Sequence, residues 1–167
     1  MKALLVVTAI IFCTNALWAG SPDTTNNWVF QEKQAGTEDD ILFAKEVIGI
    51  FSKRGAFHSP VVYSSFSIDE KNWNLGALSK SILAFDGNRL ANKVLLVEKT
   101  QMKINNITGF YFETQAYDHR ELPTHTAFFL YSKGKKKYIV TFQDYQPQFK
   151  QEINEIKNMV ATFDFKQ

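Results

Sequence analysis

Apolar residues recur along this chain with two different periods, and the change of period divides the second half into a sheet and a helix. Val94 to Val97, Ile107 to Gln115, Thr126 to Ser132 and Tyr138 to Phe142 are rich in β-branched and aromatic residues, which suit a pleated, partly buried surface. Asn105-Asn106, Leu122-Pro123 and Lys133-Gly134 lie between them as turns. Connections this short imply antiparallel pairing. From Pro147 the spacing becomes three or four. Phe149, Ile153, Ile156, Met159, Val160 and Phe163 form one stripe of a helix over 147–163, with Lys150, Gln151, Glu152, Asn154, Glu155 and Lys157 on the opposite face. Pro147 suits a first helical turn, and the stripe needs a sheet to cover.

The first half is less regular. Residues 20–27 are a polar lead-in, and Trp28-Val29-Phe30 opens a short strand. Thr37-Glu38-Asp39-Asp40 reads as a helix start, because Thr accepts from a free amide and acids suit the positive helix end. Ile41, Leu42, Ala44, Val47, Ile48 and Phe51 follow at helical spacing as far as Gly55. The pattern therefore predicts a first helix, against a rival reading of two strands at 41–43 and 47–51. Val61 to Ile68 reads as a strand after Pro60. Asn74 then caps a second helix carrying Leu75, Leu78, Ile82 and Leu83 on one side, with Asp86-Gly87 as its stop. Trp73, just before that cap, reads as a staple onto Leu78, against a rival reading as an exposed binding anchor. No internal repeat, low-complexity tract or second domain interrupts the chain.

The N-terminus adds a location. Lys2, an apolar run from Ala3 to Ala16 and Ala19-Gly20-Ser21 have the form of a secretory signal peptide over residues 1–19. The run is too short for a membrane span, so no transmembrane segment is expected after cleavage. Residues 20–167 then make one domain of about 148 residues, enough to bury a core. The only cysteine, Cys13, lies in the leader, so the mature domain must hold together by packing alone. Bulky Phe12 next to Cys13 argues against lipid attachment. The expected location is periplasmic or secreted, with a bacterial periplasm the natural home. The core is expected to be aromatic, since the chain has 15 Phe and 6 Tyr. A net charge of +2, or +1 without Lys2, lacks the basic excess of a nucleic-acid binder.

Candidate chemistry is sparse. Tyr117-Asp118-His119-Arg120-Glu121-Leu122-Pro123-Thr124-His125 is the densest polar cluster and is expected to join two strands. Its imidazoles and carboxylates are zinc-type donors, but His119 and His125 stand six apart across a proline. A solvated loop is the alternative reading, and no metal or cofactor is assigned. Loops commonly carry binding function, so Asp118, His119, Arg120, Glu121 and His125 are the first candidate partner-binding residues. Lys133, Lys135, Lys136 and Lys137 form a second, basic candidate at a hairpin tip, which also serves to discourage edge pairing. Nucleophilic catalysis finds no support: the mature chain lacks Cys and any Gly-x-Ser-x-Gly elbow. His58 near Ser64 and Ser65 makes no recognised spacing. The acid pairs Asp39-Asp40 and Asp69-Glu70 read as capping or solvated residues. Asn106-Ile107-Thr108 is a glycosylation sequon that matters only in a eukaryotic source.

The second half resembles a known family. Met102-Lys103-Ile104-Asn105-Asn106-Ile107-Thr108-Gly109-Phe110-Tyr111-Phe112 looks like that family's strand, turn and Gly-aromatic strand. Phe129-Leu130-Tyr131 through Lys135-Lys136-Lys137-Tyr138-Ile139-Val140-Thr141-Phe142 resembles its next hairpin. Phe149 to Phe165 is similar to its closing helix and Phe-x-Phe strand. Together these resemble PsbP-like and DcrB-like proteins over residues 90–167; the usual Pro-x-x-Trp element of the N-terminal half is absent. The resemblance implies an α+β domain, an α/β/α sandwich around an antiparallel sheet. It also implies an accessory or binding role rather than catalysis, since plant-type members assist photosystem II and related folds serve bacterial secretion systems as adaptors.

The expectation is a non-catalytic exported binding protein that meets an unidentified protein partner in the cell envelope. An immunity protein that neutralises a toxin is its concrete version. The alternatives are a small envelope hydrolase using Asp118, His119 and Glu121, and a carrier of an apolar ligand between the sheet and a helix.

Overall fold

The computed structural model describes residues 28–32, 44–53, 59–90, 93–117 and 122–162. The signal-peptide region, the proposed helix start at Thr37–Asp40, Gly55, His58, loop residues 118–121 and the Phe-x-Phe end lie outside them. Seven strands form one sheet: β1 (Trp28–Glu32), β2 (Ala44–Lys53), β3 (Val61–Phe66), β4 (Leu95–Ile104), β5 (Ile107–Tyr117), β6 (Pro123–Lys133) and β7 (Lys136–Tyr145). Their order is β1-β2-β3-β7-β6-β5-β4, and every neighbouring pair is antiparallel. Helices α1 (Leu75–Leu90) and α2 (Gln146–Thr162) cover opposite faces. This is the α/β/α sandwich that the resemblance implies.

The pleat explains the layering. On β6, Ala127, Phe129 and Tyr131 join the cluster under α2, while Phe128 and Leu130 join the cluster under α1. Both faces of the central strands are apolar because both are covered, so these strands read as near-continuous apolar runs. The β4–β5 hairpin turns on Asn105 and Asn106 at φ 45° and 62°, the left-handed conformation that Asn tolerates and that tight hairpins favour. The Asn105 amide donates to the carbonyl of Ala161 at 2.8 Å, fastening this hairpin to the end of α2.

The two helix starts differ. Asn74 caps α1 as expected: its Oδ1 accepts from the Ala77 amide at 2.9 Å. Trp73 packs in the α1-side cluster that contains Leu78, with its ring 5.4 Å from that of Phe110. α2 begins with Gln146-Pro147 and buries Phe149, Ile153, Ile156, Met159 and Val160, as the stripe predicts.

Three local expectations are corrected. Residues 44–53 are a strand, not a helix. Val47, Gly49 and Phe51 are buried, alternating with Ile48 and Ile50, and pairing on both sides by β1 and β3 overrides the helical spacing. Asp86-Gly87 does not end α1, which continues to Leu90. Asp86 points into the protein instead, fully buried, and accepts a short hydrogen bond from the Thr114 hydroxyl. Glu152 is not on an exposed face of α2: it is buried and bonded to the Lys53 ammonium at 3.2 Å.

Candidate functional site

The β4–β7 end of the sheet gathers the exposed apolar surface. Leu95, Val97, Tyr117, Leu122 and Tyr145 are the exposed large hydrophobic residues among the described ones, and all five lie here. Leu95, Gln115, His125 and Asp144 form one rung across four strands, because each is the register partner of the next. Tyr117 and Pro123 form the next rung outward. Val97 sits at the register shift between Leu96 and Glu98, Leu122 precedes β6, and Tyr145 pairs with Thr124. Polar groups frame these side chains: the Gln115 amide reaches the Tyr117 hydroxyl at 3.3 Å, and Asp144 accepts from the Tyr145 amide at 2.8 Å.

The structure separates the residues that the sequence grouped as one loop. Asp118, His119, Arg120 and Glu121 lie outside the described residues, between the ends of β5 and β6. His125 does not belong to the loop. It lies inside β6 with its side chain 5% exposed, because Thr124 and Thr126 continue the strand on either side and Phe149 of α2 covers the ring at 5.1 Å between centroids. It therefore cannot offer a solvent-facing contact.

His125 belongs instead to a polar row with buried Tyr111 and partly buried Glu113. Its Nδ1 is 2.8 Å from Glu113 Oε1, and the Tyr111 hydroxyl donates to Glu113 Oε2 at 3.0 Å. The other ring nitrogen, Nε2, is buried without a hydrogen-bond partner among the described residues. A carboxylate-oriented imidazole is a familiar element of metal and acid–base sites, but here Phe149 caps it. No group of three His, Cys, Asp or Glu among the described residues is placed to hold a metal ion. Glu113 and Tyr111 were not singled out from the sequence, since their nearness to His125 arises from strand register.

The basic tip also divides. Lys133, Lys135 and Lys136 are exposed at the β6–β7 turn. Lys137 is not part of it: it is buried, 2.5 Å from Glu70 and 4.9 Å from the centre of the Trp73 ring. The pleat turns Lys137 onto the α1 face, where the ion pair and the indole replace its water. The tip lies at the end of β6 opposite Pro123.

Three buried tyrosines give the core a pH dependence. The Tyr131 hydroxyl donates to that of Tyr63 at 2.9 Å. Burial pushes Tyr63 up from 10.0 to about 12, and burial raises Tyr131 and Tyr111 as well. Lys53 is also raised, chiefly by its hydrogen bond to Glu155 and against the effect of its partial burial. Above pH 10.0 the unfolded chain loses tyrosine protons that the folded state keeps, so stability must fall as pH rises. The stabilisation from Lys53, present below its ordinary value, is lost over the same alkaline range. Urea unfolding at stepped pH is expected to show a steady decline beginning near pH 10.0. The decline should be shallower in Tyr63→Phe, and a wild-type curve flat to pH 12 would contradict this account.

Among the described residues, no helix is long and apolar enough to cross a membrane. No protein-family model and no curated protein matches the sequence. The fold is nevertheless shared with solved structures. The solution structure of cyanobacterial PsbP from Synechocystis sp. PCC 6803 is similar with a TM-score of 0.58 and 8% identity, over 82% of this chain and 80% of that one. The crystal structure of PA94 from Pseudomonas aeruginosa, a protein of unknown function, is similar with a TM-score of 0.55 and 9% identity, over 85% of this chain and 99% of that one. The chain therefore has the PsbP-like fold, an α+β domain with a helix on each face of an antiparallel sheet.

Proposed function

We propose that this is an exported, non-catalytic binding or accessory protein that docks a protein partner at the β4–β7 end of its sheet. The observation that carries the reading is the collection of Leu95, Val97, Tyr117, Leu122 and Tyr145 at that one end. Scattered exposed apolar residues are ordinary, whereas clustered ones mark interaction surfaces. Two of the five are tyrosines, a residue type enriched at binding hot spots. The leader-like N-terminus supports export, and the PsbP-like fold supports an accessory role. Neutralising a toxin in the envelope is the most concrete version, and a toxin gene beside this one would favour it over a general accessory role.

The test begins with capture of a partner from the native organism by the mature chain. Tyr117→Ala with Tyr145→Ala is expected to weaken that partner's binding by at least about tenfold, the order of losing one aromatic anchor. The melting temperature should stay close to wild type, since both side chains are exposed. Ala at His119, Arg120 and Glu121 probes the adjoining loop, and charge reversal at Lys135 and Lys136 probes the opposite end. Full affinity in the tyrosine and loop variants would place the interface elsewhere. Loss of turnover of an envelope substrate in the 119–121 variant would replace this reading with the hydrolase.

A further inference from the structure

At the opposite end of the sheet, two cavities adjoin. One is an open groove of about 940 Å³ over the ends of β2, β3 and β7. The other is a smaller cavity of about 150 Å³ between α1 and the sheet, lined by Leu78 and Ile82 from the helix and by Leu130 and Ile139 from the strands. Phe66, Ser67 and Ile68 line both, so the end of β3 is their common wall.

Charge is divided across the groove. Glu32 and Glu46 line it from β1 and β2, and Lys135 and Lys136 line it from the β6–β7 turn. The sheet order places β3 and then β7 beyond β2. The small cavity draws its sheet residues from β3, β6 and β7 on the α1 face, and it meets the groove along Phe66, Ser67 and Ile68. Lys135 and Lys136 are exposed, while Lys137 is already held by Glu70. The third acid of the groove, Asp69, stands 3.7 Å from Lys71. The two tip lysines are thus left to meet an incoming anion.

We propose that the two cavities form one site for a small anionic amphiphile. Its apolar part enters between α1 and the sheet, and its carboxylate or phosphate head lies in the groove at Lys135 and Lys136. Size sets the class of ligand: a cavity of about 150 Å³ holds a benzene-sized group, so about six carbons are enclosed and any longer chain must run along the groove. Charge sets the head group, because an ammonium there would face two exposed lysines. The site is independent of the partner surface, which lies at the other end of the strands.

The test uses the isotope-labelled mature chain titrated with hexanoate, hexyl phosphate and hexanol, with amide shifts followed by NMR. Hexanoate is expected to give saturable shifts at residues 66–68 and 78–82, with hexanol at least about tenfold weaker, the loss expected when a charge-assisted contact is removed. Lys135→Glu with Lys136→Glu should weaken hexanoate by a similar factor and leave hexanol unchanged. Ser81→Phe, at the half-buried rim of the small cavity, should abolish both. If Ser81→Phe fails to fold, the lysine variant and the hexanol comparison still decide. Tighter binding of hexyl phosphate assigns the head group as phosphoryl, and tighter binding of hexanoate assigns it as carboxylate. Absence of saturable shifts with either anion, or equal binding of hexanoate and hexanol, would overturn the proposal.

Discussion

Ile156→Asp is expected to cost at least about 3 kcal/mol of stability, enough to unfold much of a protein of ordinary marginal stability. Ile156 is 0% exposed and lies in the cluster that joins α2 to Tyr111, Phe129 and Val140 of the sheet. Two losses combine. The isoleucine side chain contributes roughly 2–3 kcal/mol by burial, and the aspartate that replaces it must either become protonated or draw water under the helix. Neutral helix propensity cannot offset this, since the difference between the two residues is only a few tenths of a kcal/mol. Ile156→Val, which removes one methyl, should cost about 0.5–1.5 kcal/mol, and Lys150→Asp on the exposed face should change little. Urea unfolding of the three variants orders them. A melting temperature for Ile156→Asp within a degree or two of wild type would show that α2 does not seal the sheet.

Gly109→Val should be nearly as severe, for a reason of space rather than charge. A Cβ at Gly109 would stand 2.5 Å from the carbonyl oxygen of Leu130 and 2.9 Å from Cδ1 of Ile104. The first of these is backbone in the neighbouring strand, so relief requires β5 and β6 to part along a ladder that runs from Phe110 to Tyr117. Overpacking of this kind costs about 1–3 kcal/mol, and a β-branched side chain places it at the upper end. Gly134→Ala separates space from conformation. Gly134 has φ of 61° with open room around it, so only left-handed strain of about 1 kcal/mol is expected there. Denaturation midpoints should therefore fall in the order wild type, Gly134→Ala, Gly109→Val. Equal midpoints for the last two would mean that the sheet yields at β5–β6.

Residues whose surroundings lie close in sequence were legible. The α2 stripe needs only its own spacing, Asn74 caps the helix that starts beside it, and the Asn105-Asn106 turn joins strands that pair directly. The misread residues have partners far along the chain. Val47 to Phe51 satisfy a helical and a strand period equally well, and strands β1 and β3 decide between them. Asp86 has the composition of a helix stop but meets Thr114 across the α1 interface, and Glu152 meets Lys53 across the other face. His125 and Lys137 look like members of polar loops, yet the pleat turns both inward, to Glu113 and to Glu70 respectively.

The candidate sites follow the same division. The loop at 118–121 and the basic tip could be found as polar runs between strands. Leu95, Val97 and Tyr145 could not be joined to Tyr117 and Leu122, because they come from three separate stretches of chain that only the register of four strands brings to one end. Nor could the small cavity under α1 be anticipated, since Phe66, Leu78, Leu130 and Ile139 become one lining only when α1 lies on the sheet. By itself, the sequence determined the α+β class, the closing helix and the hairpin turns, because periodicity and turn chemistry act over a few residues. Which polar groups are buried, and which apolar ones remain exposed together, was decided by the tertiary structure, because burial depends on what lies across the interface and not on what lies next in the chain.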